Sequence, residues 1–317
     1  MELVPIGAIA IQGTAKMHHG FSNISFIRNT VHKLAILYGR NVNNRANNRS
    51  LVFCAGLIKM VFELFRLIYY VAAAGFCCLP LYFYLKDGKY VLMFAMLIPG
   101  CDPETLHGFV ITCVYHIGTL YIGIVGILAA DVSNMLFILN VVEVADVFKN
   151  QLKSLDVILD GMHNDEEIVH RQVLGICSMH EEIVLYSEEL ESSYGTVILF
   201  QIVTSIVEIS TGLFIFHMTG HINAFFLVLG AIWQLLEFCL LGVTLTVKNE
   251  EIVRALYDLK WYHLSTRHQR MLGLILHKAQ NAVEISIGGL AWLNLETFVE
   301  VMKTIYSYYA MLKEFIK

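Results

Sequence analysis

The stretch LETFVEVMKTIYSYYAMLKEF, residues 295–315, is apolar enough to enter a bilayer yet carries Glu296, Glu300, Lys303, Lys313 and Glu314. Projected at about 100° per residue, Glu296, Glu300, Lys303, Thr304, Ser307, Met311 and Glu314 share an arc of about 100°. Phe298, Val301, Met302, Ile305, Tyr309 and Leu312 lie outside it. A polar stripe inside a membrane has to face protein or water. Spacing alone leaves two readings, a helix packed polar side inward among its neighbours or one wall of a pore repeated about an axis. In the second, Met311 and Phe315 make a hydrophobic constriction and Glu314 a cation-attracting ring.

The rest of the chain favours a membrane. Of 317 residues, 56% are apolar and only 15% charged, and the mean hydropathy is +0.61. Soluble domains carry about a quarter charged residues, and a soluble fold of this composition would expose too much apolar side chain. The expected class is all-α, a polytopic helical membrane bundle. A net charge of −5 argues against nucleic acid. No phosphate loop, nucleophile elbow or metal-spaced Cys/His set occurs, so no enzyme, cofactor or metal is expected. The seven scattered cysteines fit buried hydrophobes better than a disulfide framework.

Six apolar runs are visible, at 4–15 (a partial one), 51–84, 106–142, 196–216, 222–247 and from about 291. The run 106–142 exceeds one perpendicular span, so it should tilt or project into water. The turn HMTGH (217–221) makes its two flanking helices an antiparallel pair. Residues 18–50, with GRNVNNRANNRS, read as a polar basic linker. Residues 85–105 read as a folded loop lying over the bundle, ended by Pro99-Gly100 and Asp102-Pro103. The acidic block 146–195 has heptad-like apolar spacing and reads as aqueous extensions of its neighbouring helices. Residues 248–290 form another amphipathic block.

Lys and Arg set the orientation. Fifteen lie in three large segments: Arg28, Lys33, Arg40, Arg45, Arg49, Lys59; Lys149, Lys153, Arg171; and Lys248, Arg254, Lys260, Arg267, Arg270, Lys278. The opposite side has only Lys86 and Lys89. The large segments are therefore expected in the cytoplasm and the C-terminus outside. Asn23-Ile-Ser and Asn48-Arg-Ser would then stay unglycosylated. Glu208 and Glu237 fall within predicted spans, where structural pairing across helices is expected. Asp131 is expected to be solvated near the inner end of its helix. His107 and His116 are nine residues apart and face opposite ways.

Residues 256–315 resemble the C-terminal signature of insect odorant receptors, through Trp261-Tyr262, Arg270-Met271-Leu272, Lys278-Ala279-Gln280, Leu295 with Phe298, and Tyr306-Ser307-Tyr308. The loop LIPGCDPET (97–105) and the helix end QLLEFCLLG (234–242) are similar to the same family, the loop to its mosquito members in particular. The resemblance implies a seven-helix subunit that assembles with an olfactory co-receptor into a heterotetrameric, odorant-gated, nonselective cation channel. It would sit in the plasma membrane of olfactory sensory neurons, with lipid around it and cations permeating. Against seven helices, the six runs imply that the first helix and part of the second are absent. By resemblance, residues 1–247 are the odorant-binding bundle, 248–290 the anchor domain where subunits meet, and 291–317 the pore helix.

The resemblance also assigns residues. The pore and gate fall on Ser307, Met311, Glu314 and Phe315; Met311 and Phe315 stand where many members carry aliphatic side chains. Trp261 and Tyr262 become packing residues of the anchor. The odorant site would be lined by Tyr70, Ala73, Ala74 and Phe76, then Tyr115, Gly118, Thr119 and Ile122, then Phe225, Phe226 and Leu229. Such an apolar and aromatic lining suits a small uncharged volatile. The sister gustatory receptors are a second reading, but their Thr-Tyr…Gln-Phe ending does not match Ile305-Tyr306-Ser307. A secondary transporter should show internal repeats and broken helices at midplane, and neither is found.

Overall fold

The apolar runs become the middle portions of long helices. The computed structural model describes residues 3–94, 96–161, 166–220 and 222–315. Its helices are α1 (Leu3–Ser22), α2 (Ile24–Asn41), α3 (Arg45–Asp87), α4 (Leu106–Leu159), α5 (Glu166–Thr219), α6 (Ile222–Asp258), α7 (Thr266–Gln280) and α8 (Leu295–Glu314). A short 3-10 turn, Trp261–His263, joins α6 to α7. Among the described residues the only strand-like pairing is one bridge, Ser286 to Trp292. The chain is a helical membrane bundle.

Local chemistry fixes the helix ends. Asn44 caps α3 by accepting from the Ala46 and Asn47 amides (3.1 and 3.3 Å). Gly88 ends it in the left-handed region (φ 65°), its N–H bonded to Tyr84 O. Thr105 Oγ1 accepts from the Gly108 amide (3.1 Å) to start α4. A Cβ on Gly108 would lie 1.9 Å from Asp102 O, so only glycine fits that turn. Gly220, at φ 66°, closes α5 and reverses the chain into α6, as the HMTGH turn predicts.

α4 and α5 have 54 residues each, about 80 Å at 1.5 Å per residue. That far exceeds a hydrocarbon core of about 30 Å, so a large part of each must leave the bilayer. Among the described residues, α4, α5 and α6 are long and apolar enough to cross a membrane by length and composition alone. The other three predicted spans, α1, α3 and α8, are not in that set; α8 carries the five charges of the opening stretch. They join the bundle by packing, α1 on α4 and α5, α3 on α4, and α8 on α5 and α6. One apolar core runs through bundle and extensions, from Leu235 and Phe238 to Phe148, Leu155 and Ile176.

Three expectations are corrected. Residues 18–50 are mostly helix, because Phe26 and Thr30 are buried on one side of α2 with Ile27 packed on the core, and only Asn23 and residues 42–44 break the helices. Asp131 is not solvated. It is fully buried and ion-paired with Lys16 of α1, and accepts from the Tyr69 hydroxyl (2.7 Å). Around that pair, Gln234 Nε2 donates to Tyr69 Oη (2.7 Å) and Gln12 Nε2 donates to Gln201 and Gln234. Lys16 Nζ also lies 5.4 Å from the Phe238 ring centroid. Glu208 and Glu237 are buried in the same layer, yet both Glu237 oxygens lack a hydrogen-bond partner among the described residues. The pairing expected for Glu237 is not made.

Candidate functional site

At the end of the bundle where α3 meets α4, a cavity of about 1030 Å³ opens between helices and loop. The loop 88–105 builds one wall through aromatic packing: Tyr90 lies 5.7 Å from Tyr84 and 5.0 Å from Phe109, centroid to centroid. Phe94 lies 5.8 Å from Phe76 of α3 and 5.4 Å from His116 of α4. His116, wholly buried, ties the loop down through Nε2 and the Met96 carbonyl (3.1 Å). Pro5 and Ile6 of α1, Ile215 of α5, and Ala224 and Leu227 of α6 complete the lining, with Lys86, Lys89 and Glu104 on the loop side. The body of the cavity is apolar and aromatic, which suits an uncharged ligand of modest size.

Few of the residues expected from sequence to line an odorant site reach this cavity. Phe76 is on the wall, and Phe226 touches Phe76 at 6.5 Å. Gly75 gives that ring room, a Cβ there meeting Phe226 at 3.4 Å. Ala73 is half-buried on the same helix but does not line the cavity. Tyr70, Ala74, Tyr115, Gly118, Thr119, Ile122, Phe225 and Leu229 are exposed on the outside of the chain and line no part of it. The inward face of α4 at this level is Phe109, Thr112 and His116. α4 is apolar all round, so spacing carries no sign of which face meets lipid and which meets protein. The loop aromatics Tyr90 and Phe94 were missed; two aromatics in a segment too short to span were the available signal.

The second feature is α8. Val301 and Ile305 are buried against the bundle, and Phe298 and Met302 pack with them. Glu296, Glu300, Lys303, Thr304, Ser307, Met311 and Glu314 are all exposed, and Phe315 is 80% exposed. The polar stripe therefore faces away from this chain's own bundle, which excludes the polar-side-in packing within the subunit. α8 is seated firmly. Asn294 caps it by accepting from the Thr297 amide (2.9 Å), and Thr297 Oγ1 donates to Trp292 O (2.7 Å). A Cβ on Gly242 of α6 would fall 2.0 Å from Leu293 O, so the entry to α8 lies directly on α6 backbone.

Below the bundle, Lys149 and Lys248 bridge Asp146 and Glu251 between α4 and α6. Lys260 is held at both ends, its amide by Asp156 (2.9 Å) and its ammonium by Asp160. The turn so fixed leaves Trp261 and Tyr262 half or more exposed. Nearby, His268 and His170 share a hydrogen bond of 2.9 Å. Burial, then the neighbouring His170, holds the His268 imidazole below its ordinary pKa.

This arrangement has relatives. The family model for the 7tm odorant receptors matches residues 2–306. The chain belongs to that family. It is a multi-pass membrane receptor rather than an enzyme. Odorant receptor 83c of Drosophila melanogaster is 24% identical over 72% of this chain and 61% of its own length. The odorant receptor coreceptor of Drosophila melanogaster is 21% identical over 48% of this chain and 33% of its own. The chain thus spans less than two thirds of these relatives. Among solved structures, the olfactory receptor OR5 of Machilis hrabei in complex with eugenol superposes with a TM-score of 0.78. At 14% identity, covering 98% of this chain and 80% of that one, the likeness is one of fold.

Proposed function

We propose that the chain is the odorant-binding subunit of an odorant-gated, nonselective cation channel, assembled with an olfactory co-receptor. The observation that carries this reading is the outward polar face of α8. A helix with five charges, packed on a membrane bundle by its apolar side, needs water or other subunits on the other side. Copies around an axis would turn those faces onto one path, with Met311 and Phe315 narrowing it and Glu314 attracting cations. Exposed Trp261 and Tyr262 on the rigid turn of 248–290 would meet neighbouring subunits in the cytoplasm. The excess of Lys and Arg on that side supports a C-terminus outside the cell. Relatives named as odorant receptors and coreceptors support the plasma membrane of olfactory neurons as its place.

The reading places the ligand site in the outer cavity, and the Machilis receptor's complex with eugenol supports a small organic volatile as the class of ligand. Phe76 with Phe226 behind it, the loop aromatics and Leu227 would enclose it. Ligand favours the open arrangement of the pore helices only through tighter binding to it. Co-expression with the co-receptor in oocytes, with a panel of volatiles, tests the proposal. Odorant-evoked cation currents that need both subunits are expected; surface-delivered protein that yields none with any volatile would overturn it. Glu314→Gln should change cation selectivity or conductance without moving the odorant dose–response midpoint.

A further inference from the structure

Between α2, α3 and α4 lies a second cavity, of about 460 Å³, whose body is formed by Leu34, Ile58, Phe62, Val132 and Leu136. Its register is fixed: Ser50 pairs with Asn150, Cys54 with Asp146 and Tyr69 with Asp131 across α3 and α4. Phe62 and Leu136 therefore lie toward the bilayer half of the bundle, and Tyr38 and Glu143 toward the turn between α2 and α3. At that polar end Tyr38 Oη donates to Glu143 Oε1 (2.8 Å). The other oxygen, Glu143 Oε2, has no hydrogen-bond partner among the described residues, and the residue is 2% exposed. An acceptor left so in a groove wall calls for a donor.

The surroundings are cationic. From Ile24 to Phe62 the chain holds six Lys or Arg residues and no Asp or Glu. All six are exposed, and among the described residues none of them is in an ion pair. Lys59 lines the groove itself. Ile24, Val31 and Ala35, with Val42 just past the helix end, leave an exposed apolar stripe along α2. Apolar stripe and unpaired cations together are the pattern of a helix lying at a membrane surface. A second copy of this face is a poor occupant, because it would set six cations against six.

We propose that this groove holds one anionic aminophospholipid of the phosphatidylserine type. An acyl chain fills the apolar body, the phosphate and carboxylate meet Lys59, Arg40 and Arg45, and the ammonium donates to Glu143 Oε2. The orientation proposed above makes the leaflet the cytoplasmic one; the chemistry of the groove does not depend on it. Each Lys or Arg near an anionic surface contributes about fivefold in lipid affinity.

Native mass spectrometry of the purified full chain, after incubation with defined lipids, tests this. Retention should follow phosphatidylserine over phosphatidylglycerol over phosphatidylcholine. Glu143→Gln should erase the first preference, and the triple change Arg40→Gln, Arg45→Gln, Lys59→Gln should weaken phosphatidylserine by at least about tenfold. Ala55→Phe, which fills the groove, should block all three lipids. Should Glu143→Gln not fold, N-acetylated phosphatidylserine on the wild-type chain reads the same contact and should fall to the phosphatidylglycerol level. Equal retention of phosphatidylcholine and phosphatidylserine, or preferences unchanged in the variants, would overturn the proposal. So would an Ala55→Phe protein that changes oligomeric size with lipid retention intact, which makes this face a subunit interface.

Discussion

Replacing Lys16 with methionine should cost this bundle more than any other single change in its polar layer. Lys16 is 3% exposed, Asp131 is fully buried, and the two are ion-paired. Lys16 is also the one buried Lys or Arg among the described residues, and its charge acts on Glu208 and Glu237 as well. Removing one partner of a buried pair costs about 3–5 kcal/mol, because the other charge is left uncompensated. Lys16→Met leaves three buried carboxyl groups without a cation and sits at the upper end of that range. Asp131→Asn keeps an acceptor for Tyr69 and leaves Lys16 beside two acids, so it should cost about 1.5–3 kcal/mol, the scale of hydrogen bonds to charged groups. The double change Lys16→Met with Asp131→Leu removes both charges and should be more stable than Lys16→Met alone. Melting midpoints of detergent-extracted protein, read by size-exclusion after heating, give the order. Asp131→Asn melting below Lys16→Met, or the double variant below both singles, would refute the electrostatic account.

Three further outcomes are expected. Gly242→Ala drives a Cβ to 2.0 Å from Leu293 O; overpacking of this kind costs about 1–3 kcal/mol or more, and surface delivery of the variant should fall while total synthesis holds. Leu227→Phe, filling the outer cavity, should weaken odorant potency by about tenfold or more, equal to about 1.4 kcal/mol; Ile122→Ala, on the outside of α4, should leave it unchanged in the same dose–response assay. The third outcome concerns acid. His268 has its pKa held below the ordinary value, so the unfolded chain takes up the proton first as pH falls. Stability should be intact above about pH 6.5 and decline below it, by at most about 1.4 kcal/mol per pH unit per proton. His268→Gln should flatten that decline in melts between pH 7.5 and 5.5.

How far the sequence could be read depended on contrast along each helix. α8 was legible because its charged and apolar residues separate cleanly, and the structure turns those two faces as the spacing divides them. The loop 88–105 was legible from its proline and glycine punctuation. α4 was not: lipid and neighbouring helices are equally apolar, so Tyr115 and Ile122 could be placed by height but not by direction. Asp131 was read as solvated because its partner is Lys16, 115 residues away, in a run too short to be recognised as a full helix. α2 was hidden by the polar composition of its exposed side, which resembles a linker until Phe26 and Thr30 are given a bundle to be buried against.

The outer cavity has an asymmetric wall. On one side are helices whose packing the bundle requires; on the other is a single loop, fastened by Tyr90, Phe94 and the His116–Met96 hydrogen bond. Substitutions at 88–94 change the shape and polarity of the cavity without repacking any helix pair. On the function proposed above, a lineage of such receptors can therefore diversify its chemical repertoire in this loop while the helix packing stays constant.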